Sequence, residues 1–64
     1  MKKGKVKFYD PEKGFGFIAE NGNNREYYVN QSGLIDKIRN EAEVTFDLIE
    51  GKKGMNATAV RLAK

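Results

Sequence analysis

The chain of 64 residues contains no cysteine, no histidine and no tryptophan, and only one proline. Without cysteine, neither a disulfide framework nor a thiolate metal site can form. Without histidine, the usual general base and the commonest nitrogen ligand for metals are missing. A histidine-dependent catalytic triad is therefore excluded, and we predict no enzyme activity, no metal site and no cofactor.

Long apolar runs are missing as well. No segment approaches the 18 or so apolar residues of a membrane helix, and the start Met1-Lys2-Lys3-Gly4-Lys5 lacks the apolar run of a signal peptide. We therefore expect a cytoplasmic protein without a membrane partner. We also expect one domain over residues 1–64 with a small core, because a chain of about 60 residues buries only about 60% of its unfolded surface.

What the sequence does contain is an unevenly placed positive charge. The formal net charge is +3, and residues 1–18 carry five lysines against two acidic residues, so the remainder of the chain sums to zero. A lysine-rich start is found on solubilised edge strands and also on surfaces that bind nucleic acid. Charge alone leaves both interpretations open.

Short segments between turn residues predict an all-β protein. The predicted strands run from Lys3 to Tyr9, from Phe15 to a turn at Asn21-Gly22-Asn23-Asn24, from Glu26 to Asn30, from Glu43 to Leu48 and from Met55 to Leu62. Five strands in so few residues favour a small closed barrel. Over 32–40, the spacing of Leu34, Ile35 and Ile38 predicts one or two helical turns with Ser32 as the N-cap.

The most informative stretch is Lys13-Gly14-Phe15-Gly16-Phe17-Ile18. In a strand, Phe15 and Phe17 share one face roughly 7 Å apart, and Ile18 lies on the other face with the glycines. Other apolar residues are about enough to fill a small barrel: Val6, Ile18, Val29, Leu34, Val44, Phe46, Leu48, Ala59 and Val60. If Ile18 faces inward, both phenylalanines face outward. The opposite arrangement, with both rings in the core, stays open.

Further aromatic side chains can join that outer face. Tyr28 and Asn30 alternate with Val29, so they face outward if Val29 is core, whereas Tyr27 is on the inward side. Phe8 and Tyr9 are adjacent, so both can face outward only if the strand contains a bulge. Exposed rings beside lysines match the needs of single-stranded nucleic acid, because bases stack on rings and lysines meet phosphates.

Three segments carry a family resemblance. Gly4-Lys5-Val6-Lys7-Phe8-Tyr9 and Glu12-Lys13-Gly14-Phe15-Gly16-Phe17-Ile18 resemble the start and the first ribonucleoprotein motif of the bacterial cold-shock domain, and Tyr28-Val29-Asn30 stands in the place of its second motif. The resemblance spans nearly the whole chain. It implies a five-stranded oligonucleotide-binding (OB-type) barrel that binds single-stranded RNA and DNA and often acts as an RNA chaperone. We expect the barrel to be antiparallel and monomeric and to bind single strands with weak sequence preference.

The resemblance also implies a set of binding residues. Those that match the family in type are Lys7, Phe8, Lys13, Phe15, Phe17 and Tyr28. Asn30 and Gln31 match only in position, since the family usually has histidine and an aromatic there, and Lys53 replaces a frequent arginine. The loop from Ile35 to Glu43 is shorter than usual and lacks a further aromatic, so a somewhat smaller binding surface is expected.

Two other classes of binding protein are compatible with a small barrel. An SH3-like barrel could use the aromatics as a groove for proline-rich peptides, but that class usually relies on tryptophan and acidic loops, whereas this chain has no tryptophan and a basic aromatic region. A ribosome-associated OB-fold protein is similar in size but would not need the paired phenylalanines. Binding to single-stranded nucleic acid is the interpretation that the sequence favours.

Overall fold

Five strands form the architecture of the described residues. The computed structural model describes residues 1–51 and 54–63. The strands are β1 Lys2–Asp10, β2 Phe15–Glu20, β3 Glu26–Asn30, β4 Glu43–Gly51 and β5 Gly54–Leu62, with one turn of 3-10 helix at Gln31–Gly33. They close into a barrel in the order β1-β2-β3-β5-β4, which confirms the predicted five-stranded OB-type barrel.

One pair of strands departs from the predicted antiparallel arrangement. β3 and β5 pair parallel, with Tyr28 opposite Asn56 and Val29 opposite Ala57, whereas the other four neighbouring pairs are antiparallel. The reason is geometric, because a closed ring with an odd number of strands cannot alternate direction all the way round. The antiparallel prediction is therefore wrong for this pair.

The core lies inside the barrel and consists mainly of the residues that the alternation predicts. The buried apolar side chains are Val6, Ile18, Val29, Ile38, Val44, Phe46, Ala57 and Val60. Leu34 and Leu48 are partly buried and pack against this cluster. Phe15 and Phe17 are not part of it, so the arrangement with both phenylalanines in the core is wrong.

Ala59 is the exception among the predicted core residues. Ala57 and Val60 both face inward although Val60 is three positions after Ala57, and strict alternation would place residues three positions apart on opposite faces. The pairing of β4 with β5 shifts register at this point, and Ala59 has a positive φ of 52°. A bulge therefore takes up one extra residue, and Ala59 is only half-buried instead of facing the core.

The helix predicted over 32–40 does not form. Only the short 3-10 turn Gln31–Gly33 is present, and its cap is Asn30 rather than Ser32, because the side-chain oxygen of Asn30 accepts the backbone N–H of Ser32 at 3.0 Å. Nowhere in residues 1–51 and 54–63 is there a helix long and apolar enough to cross a membrane.

The segment after this turn is held by neighbouring strands instead of by helical hydrogen bonds. The backbone N–H of Ile35 donates to the carbonyl of Val60 at 2.9 Å, and the side-chain oxygen of Asn40 accepts the N–H of Tyr9 at 2.8 Å. Ile38 reaches the core. The backbone N–H of Glu41 also donates to the carbonyl of Val6 at 2.9 Å, so backbone groups of the segment find partners in β1 and β5 without a helix.

An ionic network joins the first three strands at one end of the barrel. The Glu20 carboxylate lies 3.4 Å from the Lys2 Nζ and accepts a hydrogen bond from the Tyr27 hydroxyl at 3.2 Å. Partial desolvation tends to raise the pKa of Glu20. Hydrogen bonds from Asn23, Lys2 and Tyr27, together with the charge of Lys2, outweigh it and lower the pKa from its usual 4.5. The ionised carboxylate therefore stabilises the fold.

This network predicts a specific acid sensitivity. Because the pKa of folded Glu20 is lowered, its contribution is fully present above the unfolded value of 4.5 and is lost as the pH falls through the folded pKa. We expect Glu20→Gln to make urea-unfolding stability less dependent on pH than in the unmodified protein between about pH 7 and about pH 3. Identical pH dependence in the two proteins would contradict this role for the carboxylate.

Candidate nucleic-acid interface

Four aromatic rings lie together on the outer face of β1, β2 and β3. We call them the aromatic platform: Phe8, Phe15, Phe17 and Tyr28. Phe8 is opposite Phe17 in the register of β1 with β2, and Phe17 is opposite Tyr28 in that of β2 with β3. The ring centroids of Phe15 and Phe17 are 6.4 Å apart, close to the spacing expected for alternate residues of one strand. The predicted outward position of both phenylalanines is confirmed.

Phe15 is the centre of the platform. Its ring centroid lies 6.1 Å from that of Phe8 and 5.9 Å from that of Tyr28, and the Tyr28 ring is stacked on it at 20°. Phe8 and Phe17 are the more exposed members, at 42% and 37%. Such ring pairs contribute about 0.5–1.5 kcal/mol each beyond the area that they bury. The rings therefore hold one another in place and leave an apolar surface open to solvent.

A bulge in β1 brings Phe8 onto this surface. Val6 is opposite Ile18, but the next pair is Phe8 with Phe17, so Lys7 is an extra residue without a partner on β2. Strict alternation from the buried Val6 would have turned the ring of Phe8 inward. The bulge reverses the pattern: Phe8 faces solvent, and Tyr9 packs against the core. An irregularity of the kind needed to expose both rings is thus present, but it exposes Phe8 alone.

The connection between β1 and β2 places Lys13 beside Phe15. The Asp10 side chain accepts the backbone N–H groups of Glu12 at 3.0 Å and Lys13 at 3.3 Å, which closes a tight turn. Gly14 then takes a φ of +76°, a conformation that residues with a Cβ rarely adopt. Lys13 is exposed as a result, and β2 begins at once with Phe15.

A glycine inside β2 allows the close contact between β1 and β2 at the bulge. A Cβ atom at Gly16 would overlap the carbonyl oxygen of Phe8 and would lie 2.8 Å from the Cα of Tyr9. Gly16 is buried, as the sequence predicts for this position. The alternation of glycine and phenylalanine therefore has two consequences. Gly16 allows the bulged strand β1 to approach β2 closely, and Phe15 and Phe17 on the opposite face belong to the platform.

The lysines near the platform differ in their neighbours. Lys2 and Lys5 each lie 3.4 Å from the carboxylate oxygen of an acidic residue. Lys7 and Lys13 are exposed, and within the described part of the chain neither has a carboxylate oxygen within salt-bridge distance. These two lysines, which precede Phe8 and Phe15 closely along the chain, therefore have no carboxylate partner among the described residues.

The remaining predicted site residues lie at one edge of the platform. Asn30 is exposed and is opposite Phe15 in the register of β3 with β2. Gln31 is exposed too, and its amide packs over Gly14, where a Cβ would lie 3.0 Å from the Gln31 Cδ. The backbone N–H of Gln31 donates to the carbonyl of Gly14 at 2.8 Å. Lys53 lies outside the described residues.

The described residues show no cluster suited to a metal ion, since no group of three or more histidine, cysteine, aspartate or glutamate side chains is close enough to hold one. Their chemical resources are rings, lysine charges and amide or hydroxyl hydrogen bonds. Such a surface can stack on planar groups and attract anions.

Comparison with known proteins identifies the family of the chain. The model of the 'Cold-shock' DNA-binding domain matches residues 2–63. The chain belongs to the cold-shock domain family. The cold shock protein CspA of Staphylococcus aureus is 39% identical over 64 residues, which cover 94% of this chain and 96% of the relative. The cold shock protein of Arthrobacter globiformis is 36% identical over 66 residues and covers 97% and 98%, and cold shock protein ScoF of Streptomyces coelicolor is 36% identical over 61 residues, covering 89% and 91%.

Membership in the cold-shock domain family confirms the resemblance carried by the two sequence motifs. It supports nucleic-acid binding in general as the activity of the chain, in a family whose members bind nucleic acid and are not enzymes. It also favours this interpretation over an SH3-like barrel, for which the family match offers no support. The individual binding residues are a separate question, which the geometry of the platform addresses.

Sequence reasoning missed two features of this site. One is the inward position of Tyr9, which follows from the bulge at Lys7, and the backbone N–H of Tyr9 donates to the Asn40 side chain, 31 residues away in sequence. The other is the hydrogen bond between Asn30 and Tyr28 on the outer face of β3. Residues two apart on a strand share a face, so the second could have been anticipated. The first depends on the pairing of β1 with β2.

The position of Phe17 outside the core predicts a modest effect on stability. Phe46 is fully buried, so Phe46→Ala should cost about 3–5 kcal/mol of unfolding free energy. Phe17→Ala removes mainly contacts with two other platform rings and should cost about 1–2 kcal/mol. Urea unfolding of both variants measures the difference. Equal losses would mean that the Phe17 ring stabilises the fold as a core residue does.

Proposed function

We propose that the whole chain, residues 1–64, acts as a single cold-shock domain that binds single-stranded RNA and DNA with weak sequence preference. The observation that carries the proposal is the exposed aromatic platform with Lys7 and Lys13 beside it. Stacking on rings tolerates any base, since every base has a π-face, and the lysines meet the phosphates. The proposed binding residues are Lys7, Phe8, Lys13, Phe15, Phe17, Tyr28, Asn30, Gln31 and Lys53.

The platform favours single strands over duplexes for a physical reason. The faces of paired bases are covered by their neighbours in a duplex, so a surface that binds by stacking needs unstacked bases. A protein that binds only the open strand lowers the free energy of that strand by RT ln(1 + [L]/Kd), where [L] is the concentration of free protein. We therefore propose that it disfavours RNA hairpins by trapping their melted form, as an RNA chaperone, in the cytoplasm and as a monomer.

The proposal is tested by titrating the protein with labelled single-stranded RNA and DNA of equal length, with a duplex of the same sequence and with a proline-rich peptide. The single strands should bind and the duplex and peptide should bind far more weakly. Phe17→Ala should weaken single-strand binding by roughly 1–3 kcal/mol, the range for one base on one ring. Binding to the duplex as tight as to single strands would overturn the proposal, and tight binding of the peptide would favour the SH3-like alternative.

The lysines predict a moderate dependence on salt. If Lys7, Lys13 and their neighbours neutralise on the order of three to five phosphates, the slope of log affinity against log salt should be roughly −2 to −3.5 for single strands. Lys13→Gln should flatten the slope by somewhat less than about one unit. Lys5→Gln is the matched control, because Lys5 lies beside Glu41 and should change the slope less. A slope near zero would show that the lysines do not contact phosphates.

The exposed position of Gln31 predicts a gain of function. It lies next to Asn30 at the edge of the platform, over the turn between β1 and β2. Gln31→Phe should tighten binding of a strand of six or seven nucleotides by up to roughly 1–3 kcal/mol, because one more base can stack. A strand of three or four nucleotides that does not reach this edge should gain much less. Equal gains for both lengths, or none for either, would show that the position does not extend the platform.

A further inference from the structure

The side chains of Tyr28 and Asn30 form a hydrogen-bonded pair at the rim of the aromatic platform. The Asn30 side-chain oxygen accepts the backbone N–H of Ser32 at 3.0 Å, which fixes the orientation of the amide. The Asn30 Nδ2 therefore points to the other side, where it donates to the hydroxyl oxygen of Tyr28 at 3.3 Å. One of the two lone pairs of the amide oxygen is thereby used within the protein itself.

Two donors remain on this pair. The amide nitrogen carries two hydrogens and uses one toward Tyr28, and the tyrosine hydroxyl, which accepts that bond, keeps its own hydrogen to donate. The two donor atoms are 3.3 Å apart and belong to residues that share the outer face of β3. A ligand group that satisfies both must present two acceptors side by side.

The pair is placed where a stacked base would have its edge. Asn30 is opposite Phe15 in the register of β2 with β3, and the Tyr28 ring lies against both Phe15 and Phe17, with centroids 5.9 Å and 6.0 Å away. A base that stacks on the rings of β2 therefore has the two donors beside it. The platform itself has no other hydrogen-bonding side-chain group, since its remaining members are phenylalanines.

We propose that Tyr28 and Asn30 read one base of the bound strand and prefer guanine or cytosine there, an inference that rests on the proposed single-strand function. Guanine presents O6 and N7 as adjacent acceptors, and cytosine presents N3 and O2. Uracil and thymine have an N–H between their two carbonyl groups, and adenine has an amino group beside N7 and N1. Each of these bases can accept a hydrogen bond from one donor of the pair, but its own N–H or amino group then faces the second donor.

The experiment uses thymidine strands of seven nucleotides in which one central base is thymine, guanine, 7-deazaguanine, cytosine or adenine. Guanine and cytosine should each tighten binding by roughly three- to tenfold over thymine, the effect of one added hydrogen bond. The strand with 7-deazaguanine lacks only N7 and should lose most of the gain, and adenine should give none. Equal affinity for guanine and 7-deazaguanine would overturn the inference and would mean that the pair contacts phosphate or solvent.

Variants identify the donors through the ratio of the guanine to the 7-deazaguanine affinity, which does not depend on overall binding strength. Tyr28→Phe removes the hydroxyl, and Asn30→Asp removes the amide donor but keeps an oxygen for the Ser32 N–H. Only one of the two donors faces N7, so the ratio should fall to about one in the variant that lacks that donor and should persist in the other. Tyr27→Phe removes the hydroxyl that bonds to Glu20 at the other side of β3, and the ratio should persist.

The two proposals fail in different ways. If the unmodified protein binds no single strand, the proposed function and this inference both fail. If it binds the thymidine strand but shows a ratio near one, only the base preference fails. A ratio that persists in Tyr28→Phe and Asn30→Asp would also overturn the inference, because other groups would then read N7.

Discussion

The extra residue at Lys7 in β1 is the constraint on which the binding surface depends. It reverses the alternation of the strand halfway along. Before the bulge the even-numbered residues Gly4 and Val6 face the core, and after it the odd-numbered Tyr9 does. Phe8 joins the exposed rings because of this reversal, and Tyr9 packs inward with its backbone N–H held by Asn40. The bulged lysine is left exposed beside the rings. One local irregularity thus supplies a ring and a charge to the same surface.

A small barrel makes such irregularities necessary. Five strands cannot alternate direction around a closed ring, so β3 and β5 pair parallel, and the second bulge at Ala59 lets Ala57 and Val60 both face the core. The fully buried interior consists of aliphatic side chains and the ring of Phe46, and Tyr9 and Tyr27 are partly buried against it. Since these residues complete the core, the other three phenylalanines can lie outside it. An exposed apolar cluster of this kind is typical of an interaction site.

The exposed surface is already arranged in the absence of a ligand. Each platform ring contacts at least one other, and hydrogen bonds to Ser32 and Tyr28 orient the Asn30 amide. Binding to a surface that is ordered beforehand avoids part of the entropic cost of immobilising side chains. Stacking and lysine charge are indifferent to sequence, whereas the Tyr28 and Asn30 donors have a direction. The proposed weak overall preference is therefore compatible with the proposed reading of one base by Tyr28 and Asn30.

The sequence by itself determined what depends on residues close together along the chain: the strands, the inward Val44, Phe46 and Leu48, and the placement of Phe15 and Phe17 together on the face of β2 opposite Gly16 and Ile18. These follow from the period of two within a strand. Only the tertiary structure decided between Phe8 and Tyr9, turned Ala59 away from the core and replaced the predicted helix over 32–40 with a loop bonded to β1 and β5. Those outcomes are set by closure of the barrel between strands that are distant in sequence. Local propensity does not determine where the register between paired strands must shift for the barrel to close.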